Sequence, residues 1–434
     1  MYIYWQLFWV QPNNIYFYVF IMIHNILQQS IISRERYLTK IFQYRDAPII
    51  KVITGMRRSW KSFLLKNILQ KAVNDYAIPP ENIFYVDKEL FLFDDIVTYR
   101  DLDKHFQQFL QTIQIGQKIV IAIDEVQEIQ QWEKIINSYL SSYAQNAEIF
   151  ITGSNSTMLS SELSTLLTGR YVEIGVFPLD LEEYTLFSKK PLTRELFEEY
   201  LQYGGLPGML HLQQEEAIYP YLKDIYATIL LKDIVKYFWV RNVDFFEDLY
   251  RYTFANIGNI VNAKSISDYL KSQRVILSPD MVLNYLGYGT KSYLLNKIKS
   301  VNPDTKRYFE IYNKYYVWDI GLRNAIVGYD RKKDIWKLIE NYVFLELKKY
   351  GYEIKVGRLS SWKEIDFVAE KHGIIKYFQV CYLLWGGDTM AREYAPLEEI
   401  NDNREKFVVS FDEVDFWISE GIRHINVMDL SRIL

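Results

Sequence analysis

Eight consecutive residues, Gly55-Met56-Arg57-Arg58-Ser59-Trp60-Lys61-Ser62, carry the densest chemistry in the chain. Phosphate-cradling loops read G-x-x-x-x-G-K-[ST], and Gly55, Lys61 and Ser62 fit in type and spacing. The chemistry explains the pattern. Backbone N–H groups and a helix N-terminus wrap an anionic phosphate. The Lys61 ammonium would neutralise the outer phosphates, and the Ser62 hydroxyl would join the shell of a Mg²⁺ ion. Trp60 departs from the pattern. Glycine normally stands there because the backbone must approach the phosphate closely. An indole fits only if it points outward and the backbone angles suit a residue with a Cβ. Otherwise the loop is a chance match before an amphipathic helix, or a loop that has lost its ligand.

Asp124-Glu125 ends the apolar run IVIAI at residues 119–123. A buried strand opening into Asp-Glu is the companion of a phosphate loop. Asp124 would hold Mg²⁺ directly or through water, and Glu125 would orient or activate the attacking water. The bland reading is a buried strand that ends in acidic loop residues. A further apolar run at 148–152 ends in Gly153-Ser154-Asn155-Ser156. This makes Ser154 or Asn155 a candidate sensor of the terminal phosphate or a helix N-cap. Arg170 follows a helical stretch. It is a candidate arginine finger toward a neighbouring subunit, or a structural ion-pair partner.

These residues need a scaffold. Residues 49–54 (IIKVIT), 83–86, 119–123 and 148–152 are short β-branched runs, and residues 62–73 carry Leu64, Leu65, Ile68 and Leu69 at helical spacing. Buried strands alternating with helices predict an α/β fold with a parallel, doubly covered sheet. Gly204-Gly205-Leu206-Pro207-Gly208 is the sharpest break after it. Residues 219–237 and 336–350 read as helices, with strands at 353–356, 364–369, 377–381 and 406–410 and a short closing element at 426–434. The chain has 434 residues and is 49% hydrophobic, so two to three domains are expected. Fifty basic against 54 acidic residues, net −4, disfavour a general polyanion binder. The single cysteine, Cys381, excludes a disulfide framework or a cysteine zinc site and fits a reducing, cytoplasmic setting.

The stretch from Met1 to Ile23 is apolar but interrupted by Gln11-Pro12-Asn13-Asn14. A bilayer span takes ~20 continuous apolar residues. The preferred expectation is that Met22 is the true start. A membrane anchor and a packed N-terminal strand are the alternatives.

The segments GMRRSWKS, IDEVQEIQQWEKIINSY, FITGSNSTMLS, LTGRYVEIGVFPLDLEEY, YGGLPGML, YLKDIYATILLKDIV, NKYYVWDIGLRNAI, EIDFVAE, YFQVCY and AREYAPLEEI follow one another in an order that resembles a prokaryotic family of AAA-type ATPases with a C-terminal domain of unknown function. The resemblance runs from about residue 33 to 434. It implies an AAA core binding ATP and Mg²⁺, then a winged-helix segment, then a tail with a restriction-endonuclease-like fold. The family usually has glycine at position 60, which puts turnover in question here. The expected divisions are an extension at 1–30, a P-loop domain at 31–210, a helical and winged-helix region at 211–330 and the nuclease-like tail at 331–434.

Read physically, 265–273 and 278–288 have helix-turn-helix spacing, with 308–316 as a wing. Ser278-Pro279-Asp280 is a good helix start. The second helix, PDMVLNYLGY, has no Lys or Arg, although Lys291, Lys297, Lys299, Lys306 and Arg307 follow it. DNA is therefore a weaker expected partner than a protein or a second copy of the chain. In the tail, Glu340 and Asp366 suit a Mg²⁺ nuclease. Gln379, however, stands where a second carboxylate belongs and Cys381 where a lysine belongs, so the expected nuclease has lost cleavage. The expected function is a P-loop ATPase; the alternative is a nucleotide-dead scaffold.

Overall fold

The computed structural model describes residues 15–143, 145–154, 167, 169–240, 242–272, 277–303, 305, 308–384, 387–413 and 421–434. It divides into two compact units, Met1–Val176 and Phe177–Leu434.

In the first unit, β1 (Ile50–Gly55), β2 (Ile83–Asp87), β3 (Ile119–Asp124), β4 (Ala147–Gly153) and β5 (Tyr171–Val176) form a parallel sheet in the order β2-β3-β4-β1-β5. β1, β2, β3 and β4 are buried along their whole length. Continuous apolar runs in a covered parallel sheet require this. Helices α1 (Ile15–Gln28), α2 (Glu35–Phe42), α3 (Lys61–Asn74), α4 (Tyr99–Phe109) and α5 (Trp132–Tyr143) accompany it. Helix α3 buries Leu64, Leu65, Ile68, Leu69 and Ala72 in the core. Each fully buried leucine or isoleucine contributes about 1.5–3 kcal/mol. A reciprocal Thr98–Asp101 capping box starts α4, satisfying donors that the first turn leaves open.

Met22 lies inside α1, and Val19, on its N-terminal side, is buried with Ile23 and Ile26. Over residues 15–23 the packed alternative is thus a helix and not a strand. The Gln11–Asn14 interruption lies outside the described residues. Gln70 of α3 donates from Nε2 to the carbonyls of Ile26 and Gln29, each at 2.8 Å. The Ile26 carbonyl also accepts from the Gln29 N–H at 3.1 Å, so the Gln70 amide adds to the bonding of the carbonyls at the end of α1. Among the described residues no helix is long and apolar enough to cross a membrane.

The second unit begins with α6 (Leu181–Ser188), α7 (Arg194–Tyr203) and α8 (Ile218–Thr228), which continues as a π-helical segment, Ile229–Val235. Next come α9 (Val243–Ala255), β6 (Ile260–Val261), α10 (Ala263–Ser272), α11 (Pro279–Lys291), β7 (Leu295–Val301), β8 (Tyr308–Val317), α12 (Ile320–Val327) and α13 (Arg331–Lys349). The chain closes with β9 (Glu353–Arg358), β10 (Glu364–Lys371), β11 (Ile374–Val380), α14 (Gly387–Glu398), β12 (Glu405–Ser410) and β13 (Ile422–Asn426). One mixed sheet collects these strands in the order β13-β12-β11-β10-β9-β7-β8-β6.

The architecture is α/β, as expected, with a second, mixed sheet. The divisions expected at 210/211 and 330/331 do not coincide with the break at Val176, and the mixed sheet runs across residue 330 through the β7–β9 pairing. The glycine-rich break is a packing junction inside the second unit. Gly204 has φ +79°, and a Cβ there would stand 2.5 Å from Asp319 Oδ1. Both the angle and the close approach call for glycine. Asp319 accepts from the N–H groups of Gly205 and Leu322, each at 2.8 Å. The second of these bonds caps α12.

Candidate functional site

β1 delivers the chain to Gly55, whose φ is +145°. A Cβ there would come within 2.1 Å of the Val176 carbonyl oxygen on β5, so the close strand approach demands glycine. Arg58 and Trp60 then take left-handed angles (φ 66° and 65°), and Trp60 is the N-cap of α3. Unlike the Gly55 angle, this region admits a Cβ at a cost of roughly 1–2 kcal/mol. The indole stacks on Phe63, one turn on, with centroids 4.7 Å apart and planes 28° apart. Phe63 is exposed and Trp60 is half-buried.

Lys61 is buried. Its Nζ donates to the Met56 carbonyl at 3.1 Å and lies 3.8 Å from Glu125 Oε1. Arg34, just before α2, donates to the Ser59 carbonyl at 3.1 Å and covers the Tyr37 ring, bracing the loop from behind. Arg57 reaches Glu89 at 3.5 Å.

Because β4 lies between β1 and β3, its last residues stand beside both motifs. Thr152 Oγ1 donates to Asp124 Oδ1 and accepts from the Glu125 N–H at 3.0 Å. Ser154 Oγ donates to Glu125 Oε2 at 3.0 Å, and Gln127 Nε2 donates to the same oxygen. Asp87, at the end of β2, pairs in register with Asp124. It accepts from the Tyr85 hydroxyl at 3.2 Å and the Glu89 N–H at 3.0 Å.

Burial, then Asp87, pushes the Asp124 carboxyl up to about 6, against the Ser62 and Thr152 hydroxyls. Low polarity and a neighbouring negative charge both disfavour the ionised form. Burial also raises Glu125, but Lys61, Gln127, Arg57 and Ser154 outweigh it and hold this carboxyl below its ordinary value. Ser59 Oγ and Asp124 Oδ2 are buried without a hydrogen-bond partner. Two orphaned polar atoms at one loop are costly unless a ligand meets them.

The structure thus gathers Gly55 to Ser62, Asp124, Glu125 and Ser154. Arg170 is not with them. Its carbonyl accepts from Ile50 N–H where β1 begins, the far edge of the sheet from the loop, and its exposed guanidinium is 3.4 Å from Ser141 Oγ. Asn155, Lys306 and Arg307 lie outside the described residues. Sequence reading missed Arg34, Asp87 and Thr152. The one signal for the last two was their position as the closing polar residues of apolar strands.

In the second unit, Gln379 Oε1 accepts from the Asp366 N–H at 3.4 Å and its Nε2 donates to Glu393 Oε2 at 3.1 Å. Burial and then Glu393 push the Cys381 thiol up, which fits a packed residue and not a reactive one. Asp366 is pushed well up by burial and Glu340. Among the described residues no group of three or more His, Cys, Asp or Glu is disposed to hold a metal ion.

Residues 47–185 match the AAA domain family, and residues 194–333 match a domain of unknown function, DUF8612. An uncharacterized protein of Haemophilus influenzae is 34% identical over 407 residues, spanning 93% of this chain and 99% of that one. The chain belongs to the family of that protein. An uncharacterized protein of Methanocaldococcus jannaschii, MJ1544, is 29% identical over 352 residues, 77% of this chain and 75% of that one. Among solved structures, the Aeropyrum pernix ORC1 protein in complex with DNA overlaps 69% of this chain and 95% of its own at 9% identity and a TM-score of 0.33. AMPPCP-bound DnaA from Aquifex aeolicus overlaps 51% and 75% at 13% identity and a TM-score of 0.30.

Proposed function

We propose that the first unit binds ATP with Mg²⁺ at the Gly55–Ser62 loop and hydrolyses it. The observation that carries this reading is the pair of buried, unpartnered atoms, Ser59 Oγ and Asp124 Oδ2, at a loop whose indole is stacked on Phe63. The magnesium ion would be held by Ser62 and Asp124, with Asp87 as a further carboxylate behind them, and would offset charge on the phosphates. Lys61 exchanges the Met56 carbonyl for phosphate oxygen. Glu125, fixed by Ser154 and Gln127, accepts a proton from the attacking water. Arg170 serves only another copy of the chain.

For the second unit we infer a winged helix from α9, α10, α11 and the β7–β8 hairpin. α11 exposes Met281 and Leu283 and presents no basic side chain before Lys291, which favours a protein partner over DNA. Strands β9 to β13 with α13 and α14 are the proposed nuclease-like part. The setting is proposed to be cytoplasmic.

Titration of a fluorescent ATP analogue with Mg²⁺ into wild type, Lys61→Ala and Trp60→Gly tests the reading. Micromolar binding by wild type, lost in Lys61→Ala, is expected. Binding seen only in Trp60→Gly would replace the proposal with the nucleotide-dead scaffold.

A further inference from the structure

We propose that Lys314 is the resident cation of a closed carboxylate centre in the second unit, standing where a divalent ion would otherwise be required and latching β8 to β10 and α13. Lys314 is buried on β8, and its Nζ lies 2.6 Å from Glu364 Oε1, 3.2 Å from Glu340 Oε1 and 3.7 Å from Asp366 Oδ1. An ammonium has three donors, and here it lies within hydrogen-bond distance of Glu364 and Glu340 and makes a longer ion pair with Asp366. Two of the carboxylates are held by further donors. The same Glu340 Oε1 also accepts from the Tyr316 hydroxyl at 2.6 Å, and Asp366 Oδ2 accepts from the Val380 N–H at 2.9 Å. Gly258, with φ +77°, leaves room for Glu340: a Cβ there would stand 3.1 Å from Oε2.

The sheet order gives the tie its mechanical meaning. β9 and β7 separate β10 from β8, so those two strands share no ladder, and the ammonium is a direct bond between them. Sequence reading looked for the tail's missing lysine at position 381, whereas Lys314 arrives from the wing hairpin. A catalytic lysine must stay available to a water or a phosphate, and a metal needs oxygens at about 2.0–2.6 Å with open positions. Three carboxylates closed on one ammonium offer neither. The same lysine that completes the set also shuts it.

Mn²⁺ binding, read by electron paramagnetic resonance on the full chain without nucleotide, tests this in an Asp124→Asn background that silences the first unit. With Lys314 present, Mn²⁺ uptake is unchanged by Asp366→Asn. Lys314→Met lowers the melting temperature by roughly 10 °C, takes up Mn²⁺ and is restabilised by it, and loses both effects when Asp366→Asn is added. Lys314→Arg keeps the charge and takes up none. Mn²⁺ uptake by the Lys314 protein that Asp366→Asn abolishes would overturn the proposal, as would a Lys314→Met chain that melts like its parent. If Lys314→Met does not fold, folding by Lys314→Arg supports the latch, and failure of both with Mn²⁺ bound to the Lys314 parent sinks it.

Discussion

The two units each bury a lysine against carboxylates, and they do so to opposite ends. Lys61 stands 3.8 Å from one carboxylate and borrows a backbone carbonyl, while Ser59 Oγ and Asp124 Oδ2 nearby have no partner. Lys314 is met by three carboxylates, the nearest at 2.6 Å. The first centre is incomplete as it stands, and in the second the ammonium is surrounded by carboxylates. A buried charge left half-satisfied marks a place reserved for a ligand, because otherwise the fold would bear the desolvation cost for nothing. One met by several opposite charges is a structural bond.

The sharpest way to break this comparison is to remove each lysine. Lys314→Ala strands carboxylates in the interior and is expected to destabilise the second unit by roughly 3–5 kcal/mol in urea unfolding, with nucleotide affinity in the folded fraction unchanged. Lys61→Ala is expected to do the reverse, abolishing nucleotide binding with a much smaller effect on unfolding. Equal stability losses would mean that the contrast between the centres is unreal.

Glu125→Gln keeps the size of the side chain and removes the base. Steady-state phosphate release is expected to fall about 10²–10⁴-fold while analogue affinity stays near wild type. Loss of binding along with turnover would instead place Glu125 in the framework of the loop. Thr152→Val removes the hydroxyl that serves Asp124 and the Glu125 N–H together. Leaving both unsatisfied is expected to cost about 1–3 kcal/mol in thermal unfolding.

How far the sequence led is visible in these residues. Lys61, Ser62, Asp124 and Glu125 were legible because strand, loop and helix are local patterns. The buried runs at 49–54, 119–123 and 148–152 emerged as β1, β3 and β4 with nearly the same bounds. β5 escaped notice because an edge strand is only partly covered, and its YVEIGV carries no continuous apolar run, which is the signal that marks a fully buried strand. Asp87, Thr152 and Lys314 act through register between strands far apart in the chain, which no single segment encodes. Arg170 was read as a finger toward a neighbouring subunit or a structural ion-pair partner, and it lies at the start of β5, where a strand rising about 3.3 Å per residue separates it from the loop at the other end of β1.

The unfinished character of the first centre also predicts a pH effect. Asp124 is raised to about 6 from an ordinary value of 3.8, so the native state binds this proton more tightly than the unfolded chain does. The stability it contributes is full below 3.8 and is lost as pH rises through 6, since the unfolded chain releases the proton first. The protein without nucleotide is therefore expected to gain roughly 1 kcal/mol from Asp124 between about pH 7.5 and pH 5, and Asp124→Asn to flatten that part of the profile. An identical profile in the variant would show that Asp124 is already compensated.

The smallest effect belongs to the residue that departs most from its pattern. Trp60→Gly relieves a left-handed residue, worth roughly 1 kcal/mol, but gives up the stack on Phe63, worth about 0.5–1.5 kcal/mol, and loosens the unfolded chain. These terms nearly cancel, so the unfolding midpoint should barely move. Because the indole is directed onto Phe63, nucleotide affinity should change by less than tenfold. Phe63→Ala is the sharper probe. It removes the ring on which the indole is stacked while leaving the loop intact, and it should weaken nucleotide binding more than Trp60→Gly does. The reverse ranking would mean that the indole obstructs the loop even when stacked.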